Sequence, residues 1–312
     1  GSRYAARMTY SIVARDPETG RFGIAVQSHF LGVGPVVPWL EAGVGAVATQ
    51  ASVNVALGPI GLELLRTGAS AEQTVAALLA SDENPQVRQL GVVDAQGRAA
   101  AHTGSETIPA AGHLVRNGFT VQGNLLRNDT CWPAMAAAYE AGLAEGAPFV
   151  ERLLRAMEAA EAEGGDVRGR QSAAIMIVDA GLHPRAWRGR GLVMDMRIED
   201  HPDPVPELRR IVTLQLAYDM LDDDGDEAKA GRSTDERYAE ARRLAPDAYE
   251  LVFWSALELA AAGNMDAARR EMAIAVAADE SWRRTLEHLA EAGREGMTPE
   301  RAAELLGETP KA

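Results

Sequence analysis

From residue 9 to residue 198, strand-like apolar segments come in pairs joined by short turns, with pairs of helices between them. Residues 10–15 and 21–27 flank the turn Asp16-Pro17-Glu18-Thr19-Gly20, and residues 89–93 and 98–102 flank Asp94-Ala95-Gln96-Gly97. Strands joined so tightly pair antiparallel, because parallel pairing needs a crossover of about a dozen residues or more. A doubly wound parallel sheet is therefore disfavoured. Further strands are expected over 43–50, 119–122, 172–178 and 192–198, the last two flanking an Arg-rich loop. Helices are expected over 58–66, 71–79, 132–144 and 149–162, where apolar residues recur at helical spacing. Ser70 and Gln73 form a capping-box pattern ahead of the second. The predicted class is α+β, with helix pairs covering mostly antiparallel sheets.

The 312 residues leave room for a second domain. His201-Pro202-Asp203-Pro204 closes the first and leads into a connecting helix over 205–221, followed by an acidic run over 222–227. That run is a solvated linker and no calcium loop, since Gly225 stands at its fourth position and Ser233 where the bidentate Glu belongs. Beyond it the chain is rich in Ala, Glu and Arg. Ala239 and Ala241 recur 34 residues on as Ala273 and Ala275, Ala256 as Ala290, and Ala268 as Ala302. The period is that of the tetratricopeptide helix pair. Pro246 fits the pattern, whereas Glu280 occupies the equivalent place one repeat later. The expected divisions are a tag or leader over 1–8, a domain over 9–203, a connector over 204–232 and a tetratricopeptide-like region over 233–312.

A net charge of −14 argues against nucleic acid or an anionic membrane surface as partner. No apolar run reaches the length of a membrane span, and no segment has signal-peptide organisation, so a cytoplasmic location is expected. The lone Cys131 excludes a disulfide framework; it is either a structural thiol or one whose pKa a helix start lowers. No lysine precedes Lys229, which removes a phosphate-loop lysine, a Schiff base and a Ser–Lys dyad from the first domain. The Gly43-Val44-Gly45 run lacks the third glycine of a dinucleotide fingerprint. His102, His113, His183 and His201 are too scattered to be metal ligands. Neither a metal nor another cofactor is expected.

Polar residues gather at expected strand ends. Thr9 heads the first strand, where β propensity alone would place a threonine. In a chain beginning there it would carry both a hydroxyl nucleophile and, in its own α-amine, a base titrating near ~8. Ser28 and His29 end the second strand; the histidine either assists proton transfer or is structural. Gln50 ends the third strand and Asn54 follows it; both are candidate substrate contacts. Asn124, after Gly123, is either an oxyanion donor or a turn asparagine. Asp166 would orient an α-amino group while Arg168 and Arg170 bind a substrate carboxylate, unless all three only decorate a charged loop. A Gly-x-Ser-x-Gly elbow is missing, so Ser-His-Asp catalysis has no support.

Four stretches, residues 9–16, 37–50, 122–124 and 164–172, together resemble the domain-of-unknown-function family numbered 1028, over about residues 8–210. That family is grouped with the N-terminal nucleophile (Ntn) hydrolases. The resemblance implies a four-layer αββα sandwich, Thr9 in the nucleophile slot and hydrolysis of an amide bond. Proteasome-like relatives place an acidic residue near Ser28 and His29 and use a lysine; this chain has neither. The expectation is an Ntn amidohydrolase acting on a small-molecule or short peptide-like substrate. The alternative is a non-catalytic scaffold that binds a small ligand. In either case the helical tail would mediate a homodimer or dock a partner protein. An initiator methionine at Met8 would expose the Thr9 amine on removal, and an upstream start would require self-cleavage.

Overall fold

The computed structural model describes residues 9–181, 191–221 and 232–308. The leader over 1–8, most of the Arg-rich loop with His183, and the acidic linker lie outside the described residues. The chain forms two compact units, Gly1–Ile211 and Val212–Ala312.

The first unit is mixed α/β, and its named strands form two antiparallel sheets. The six-stranded sheet contains β1 (Thr9–Arg15), β2 (Phe22–Ser28), β7 (Gly112–Arg116), β8 (Phe119–Asn124), β9 (Ser172–Val178) and β10 (Leu192–Ile198). Its order is β10-β9-β2-β1-β8-β7. The second sheet holds β3 (Pro38–Glu41), β4 (Gly45–Ala51), β5 (Arg88–Asp94) and β6 (Ala99–Thr103), in that order. Every pairing is antiparallel, as the short turns imply.

Two of these strands were not anticipated. β3 begins at a proline and pairs only with β4, the edge position at which a missing N–H costs no ladder bond. β7 is the other kind of miss. Arg116 pairs with Phe119, so Asn117-Gly118 is a two-residue hairpin loop, and Gly118 takes φ +80°. Asn-Gly between strand-forming residues is a strong hairpin signal. The partly exposed β7 lacks the clean alternation that marks a strand.

Strand periodicity sorts the side chains onto two faces. On the face where the sheets meet, Val13, Ile24 and Val26 of one pack with Ala46, Ala48 and Val93 of the other. The sheets approach closely: a Cβ on Gly91 would lie 2.5 Å from the Gln122 side chain. On the outer face of the four-stranded sheet, Val47 and Val92 pack against Leu62 and Leu65 of α1 (Leu57–Arg66) and Val75 of α2 (Ala71–Ser81). The Ser70–Gln73 capping box closes the start of α2. On the outer face of the other sheet, Tyr139 of α3 (Cys131–Ala144) meets the Phe119 ring at 4.6 Å. Alongside it, Phe149 and Leu153 of α4 (Phe149–Ala162) fill the space above Gly23.

Helix α5 (Pro204–Asp219) crosses the boundary between the units. The second unit continues with α6 (Thr234–Leu244), α7 (Tyr249–Ala261), α8 (Met265–Ala278), α9 (Ser281–Glu291) and α10 (Pro299–Leu305). Its buried cluster interleaves small and large residues, among them Ala256, Ala260, Ala268 and Ala275 beside Phe253, Met272 and Leu286. Among the described residues no helix is long and apolar enough to cross a membrane.

Candidate active site around Thr9

The layer between the sheets changes character along its length. Toward the Asp16–Gly20 turn it is apolar; toward the start of β1 it is amide and hydroxyl. Thr9, Ser11, Ser28, Gln50, Gln89, Gln122 and Asn124 are all 2% exposed or less. Burying so many polar groups is tolerable only where they bond to one another, and here they do, save for Gln122 Oε1, which has no partner among the described residues.

Register brings Thr9 abreast of Ser28 on one side and Asn124 on the other, and Ser28 abreast of Ser172. Thr9 Oγ1 donates to Ser28 Oγ at 3.3 Å. The Thr9 carbonyl accepts from Gln50 Nε2 and Asn124 Nδ2, each at 3.3 Å. Both amides also donate to Gln89 Oε1 at 2.8 Å. Gln89 Nε2 in turn meets the Gly123 carbonyl at 2.7 Å and Thr103 Oγ1 at 2.9 Å. Beneath this, Ser11 Oγ donates to Gln50 Oε1 at 2.6 Å and accepts from Gln122 Nε2 at 2.7 Å. Ala51 (φ +67°) and Leu125 (φ +48°) directly follow Gln50 and Asn124 in the left-handed region, which costs a side-chain-bearing residue about 1 kcal/mol or more each. Strain of that kind, repeated at two strand ends around one polar cluster, marks a candidate functional site.

A second arrangement flanks the first. Asp166, 3% exposed, accepts from the His29 backbone N–H at 2.9 Å, the Arg168 N–H at 2.9 Å and Arg168 Nη2 at 2.9 Å. Asp166 therefore ties the end of β2 to the loop before β9. Arg170 turns elsewhere, pairing with Glu161 and, at 2.6 Å, with Asp203. Its carbonyl lies 3.3 Å from His29 Nδ1. Glu161 also accepts from the Tyr10 hydroxyl. Burial first, and then that carboxylate, hold the Tyr10 phenol well above its ordinary pKa. Tyr10 stays protonated and anchors the residue after Thr9.

The expected residues are thus brought together unequally. Thr9, Ser28, Gln50 and Asn124 share one network, and His29, Asp166, Arg168 and Arg170 form its flank. Asn54 does neither: its Nδ2 donates to Asp82 Oδ2 at 2.8 Å, and Asp82 in turn pairs with Arg88. Cys131 is buried, and burial pushes its thiol pKa up, so the helix start does not activate it. Among the described residues no cluster of His, Cys, Asp and Glu could hold a metal ion.

Sequence reasoning passed over Gln89, the hub of the network, because a glutamine opening a strand is unremarkable alone. The available signal was positional: Gln50 and Gln89 end one strand and begin its antiparallel neighbour, so they fall opposite each other. Gln89→Leu is expected to cost about 3 kcal/mol, because the Gln50 and Asn124 amides and the Gly123 carbonyl would lose their buried partner. The urea midpoint should fall with an unchanged m-value. Unfolding superimposable on the parent curve would refute that role.

The family model described as a family of unknown function (DUF1028) matches residues 9–208, a span that starts at Thr9 and ends in α5. The crystal structure of a Silicibacter pomeroyi protein of this family is 31% identical in sequence, with a TM-score of 0.59. The match covers 74% of this chain and 97% of that one. No curated protein matches. With the family model spanning every strand around the Thr9 network, and a solved relative similar in sequence and fold, the chain belongs to the DUF1028 family.

Proposed function

We propose that the first unit is an N-terminal-nucleophile amidohydrolase, with its sheets and helix pairs read as the αββα sandwich of that class. The observation that carries this reading is the setting of Thr9. It heads an interior strand, its hydroxyl lies against Ser28, and two side-chain amides clamp its carbonyl. In a chain beginning at Thr9, the α-amine would take the hydroxyl proton as Oγ1 attacks the substrate carbonyl carbon. The tetrahedral intermediate would then break its C–N bond, the leaving amine taking the proton from the α-ammonium. Water would hydrolyse the remaining ester on Thr9 and restore the hydroxyl.

Asn124 suits the oxyanion role on one condition. Its two N–H groups are directed at the Thr9 carbonyl, at 3.3 Å, and at Gln89, at 2.8 Å. The longer bond is the weaker, and a developing oxyanion would take it over. Asp166 and Arg168 would brace the loop and strand end beside the nucleophile.

The same bonding favours a second reading, a binding scaffold without turnover, since the Gln50 and Asn124 amides beside Thr9 already have protein partners. The experiment is a chain prepared to begin at Thr9, incubated with N-acyl amides and short peptides and followed by mass spectrometry. Release of free amine together with an ester adduct on the protein is the expected result. Ligand recovered intact after prolonged incubation would establish the scaffold instead.

For the second unit we propose tetratricopeptide-like helix packing and a role in binding protein or a second copy of the chain. The support is the turn at Gly263 (φ +83°) between α7 and α8, with small residues buried on both helices.

A further inference from the structure

Beyond Thr103 the network reaches a cavity. It has a volume of about 460 Å³ and lies where the end of β6 and the start of β7 meet the intervening loop. Thr103, Ser105, Thr107, Pro109, Ala111 and His113 line it. Its wall is pinned to the strand end that carries Asn124: the Leu125 N–H donates to the Ile108 carbonyl at 2.9 Å, and the Leu126 N–H to the Ala110 carbonyl at 3.1 Å.

The Thr103 hydroxyl links the network to His113. Gln89 Nε2 can only donate, and its two protons face three acceptors, the Gly123 carbonyl at 2.7 Å, the Thr103 hydroxyl at 2.9 Å and the Gly112 carbonyl at 3.1 Å. The Thr103 hydroxyl has one proton to give, and His113 Nδ1 lies 2.8 Å away. Where Nδ1 accepts that proton, the imidazole is neutral with its proton on Nε2. Burial first, and then the nearby His102, lower the His113 pKa, which agrees with a neutral ring. Among the described residues His113 Nε2 has no hydrogen-bond partner. The lining thus offers one imidazole N–H, hydroxyls and small apolar surfaces, with no carboxylate and no guanidinium.

We propose that this cavity is the substrate-recognition site of the Thr9 centre, and that it takes an uncharged group whose carbonyl oxygen accepts from His113 Nε2–H. A carboxamide or acylamino group has that chemistry. A carboxylate would leave its charge without a cation among the lining residues, and an ammonium would find no anion. This assignment rests on the amidohydrolase reading for its meaning, while binding itself needs no turnover. The chain Thr9–Asn124–Gln89–Thr103–His113 would then join recognition at the cavity to the position of the nucleophile.

The test is binding of two probes that differ in one terminal group, a neutral carboxamide in N-acetylalanine amide and a carboxylate in N-acetylalanine, to the full chain carrying Thr9→Ala, which removes the nucleophile. Amide resonances of residues 104–113 are expected to shift on titration with the amide probe, at least about tenfold more tightly than with the acid. His113→Leu should weaken the amide probe by about tenfold, the worth of one hydrogen bond. Ser105→Arg provides a second variant: Ser105 is exposed, so the fold is unaffected, and the long side chain should block the cavity and abolish the shifts. Two outcomes would overturn the proposal: shifts confined to other residues, or equal or tighter binding of the acid. Failure of the hydrolase reading looks different, as turnover absent from the chain that begins at Thr9 while the cavity still prefers the amide probe.

Discussion

Thr9→Ala, introduced into a chain that begins at residue 9, is expected to lower amide turnover by about 10³-fold or more, the scale on which a nucleophile's removal acts. Thr9→Ser should keep part of the activity, since it retains a hydroxyl on the residue that carries the amine. Stability should fall by only about 1–2 kcal/mol in the alanine variant, which loses the buried γ-methyl along with the hydroxyl. The hydroxyl it removes makes one long bond, 3.3 Å to Ser28, and the carbonyl clamp from Gln50 and Asn124 is main-chain and survives. Turnover and thermal melting measured on the same preparation separate chemistry from folding. Undiminished turnover in the alanine variant would remove Thr9 from the mechanism.

Asp16→Asn is expected to give the largest loss of stability, about 3–5 kcal/mol, which for a domain of this size lowers the melting temperature by on the order of 10 °C. Asp16 and Arg152 lie at the other end of β1, 1% and 2% exposed, and their side chains meet at 2.7 Å. Arg152 also lies over the Tyr139 and Phe149 rings, and its Nε and Nη1 have no hydrogen-bond partner among the described residues. Removing the carboxylate would strand a buried cation that is already short of acceptors. Burial pushes the Asp16 pKa up, but the Thr19 and Arg152 hydrogen bonds outweigh it and hold the value below the ordinary carboxylate range. A depressed folded pKa contributes stability above the unfolded value near ~3.9 and loses it as pH falls through the folded one. The gap between parent and variant should therefore narrow below about pH 4. Asp16→Asn combined with Arg152→Met should recover much of the loss, because the orphaned charge goes with it. Melting temperatures that coincide at neutral pH would refute the account.

Much of this architecture was legible because strand pairing is local information. The Asp16–Gly20 and Asp94–Gly97 turns announce their hairpins, and the apolar stripes of α1 to α4 announce helices that must cover something. The polar network was only half legible. Thr9, Gln50 and Asn124 stand out as polar residues at strand ends, but their meeting depends on which strands become neighbours, and sequence does not state that β1 lies between β2 and β8. Gln89 pairs with Gln50 through local strand register, but its contacts with Asn124 and Gly123 exist only once β5 faces β8 across the two sheets. Asn54 shows the opposite error. It sits four residues after Gln50 in the chain, yet the β4–α1 connection turns it toward Asp82, out of the network. Proximity along the chain predicted a neighbour that the turn then separates.

The rung shared by Thr9, Ser28, Ser172 and Asn124 has one more implication. Because side chains alternate, sliding β1 by one residue against its neighbours would turn Thr9 out of the inter-sheet layer and bring Tyr10, with its bulky ring, into it. Two ladders, one to β2 and one to β8, oppose that slide independently. Residue 9 is therefore addressed by the sheet and not by the chain end. Whatever stands ahead of it, the strands measure out this threonine to the same place, and trimming the chain would uncover a position already set.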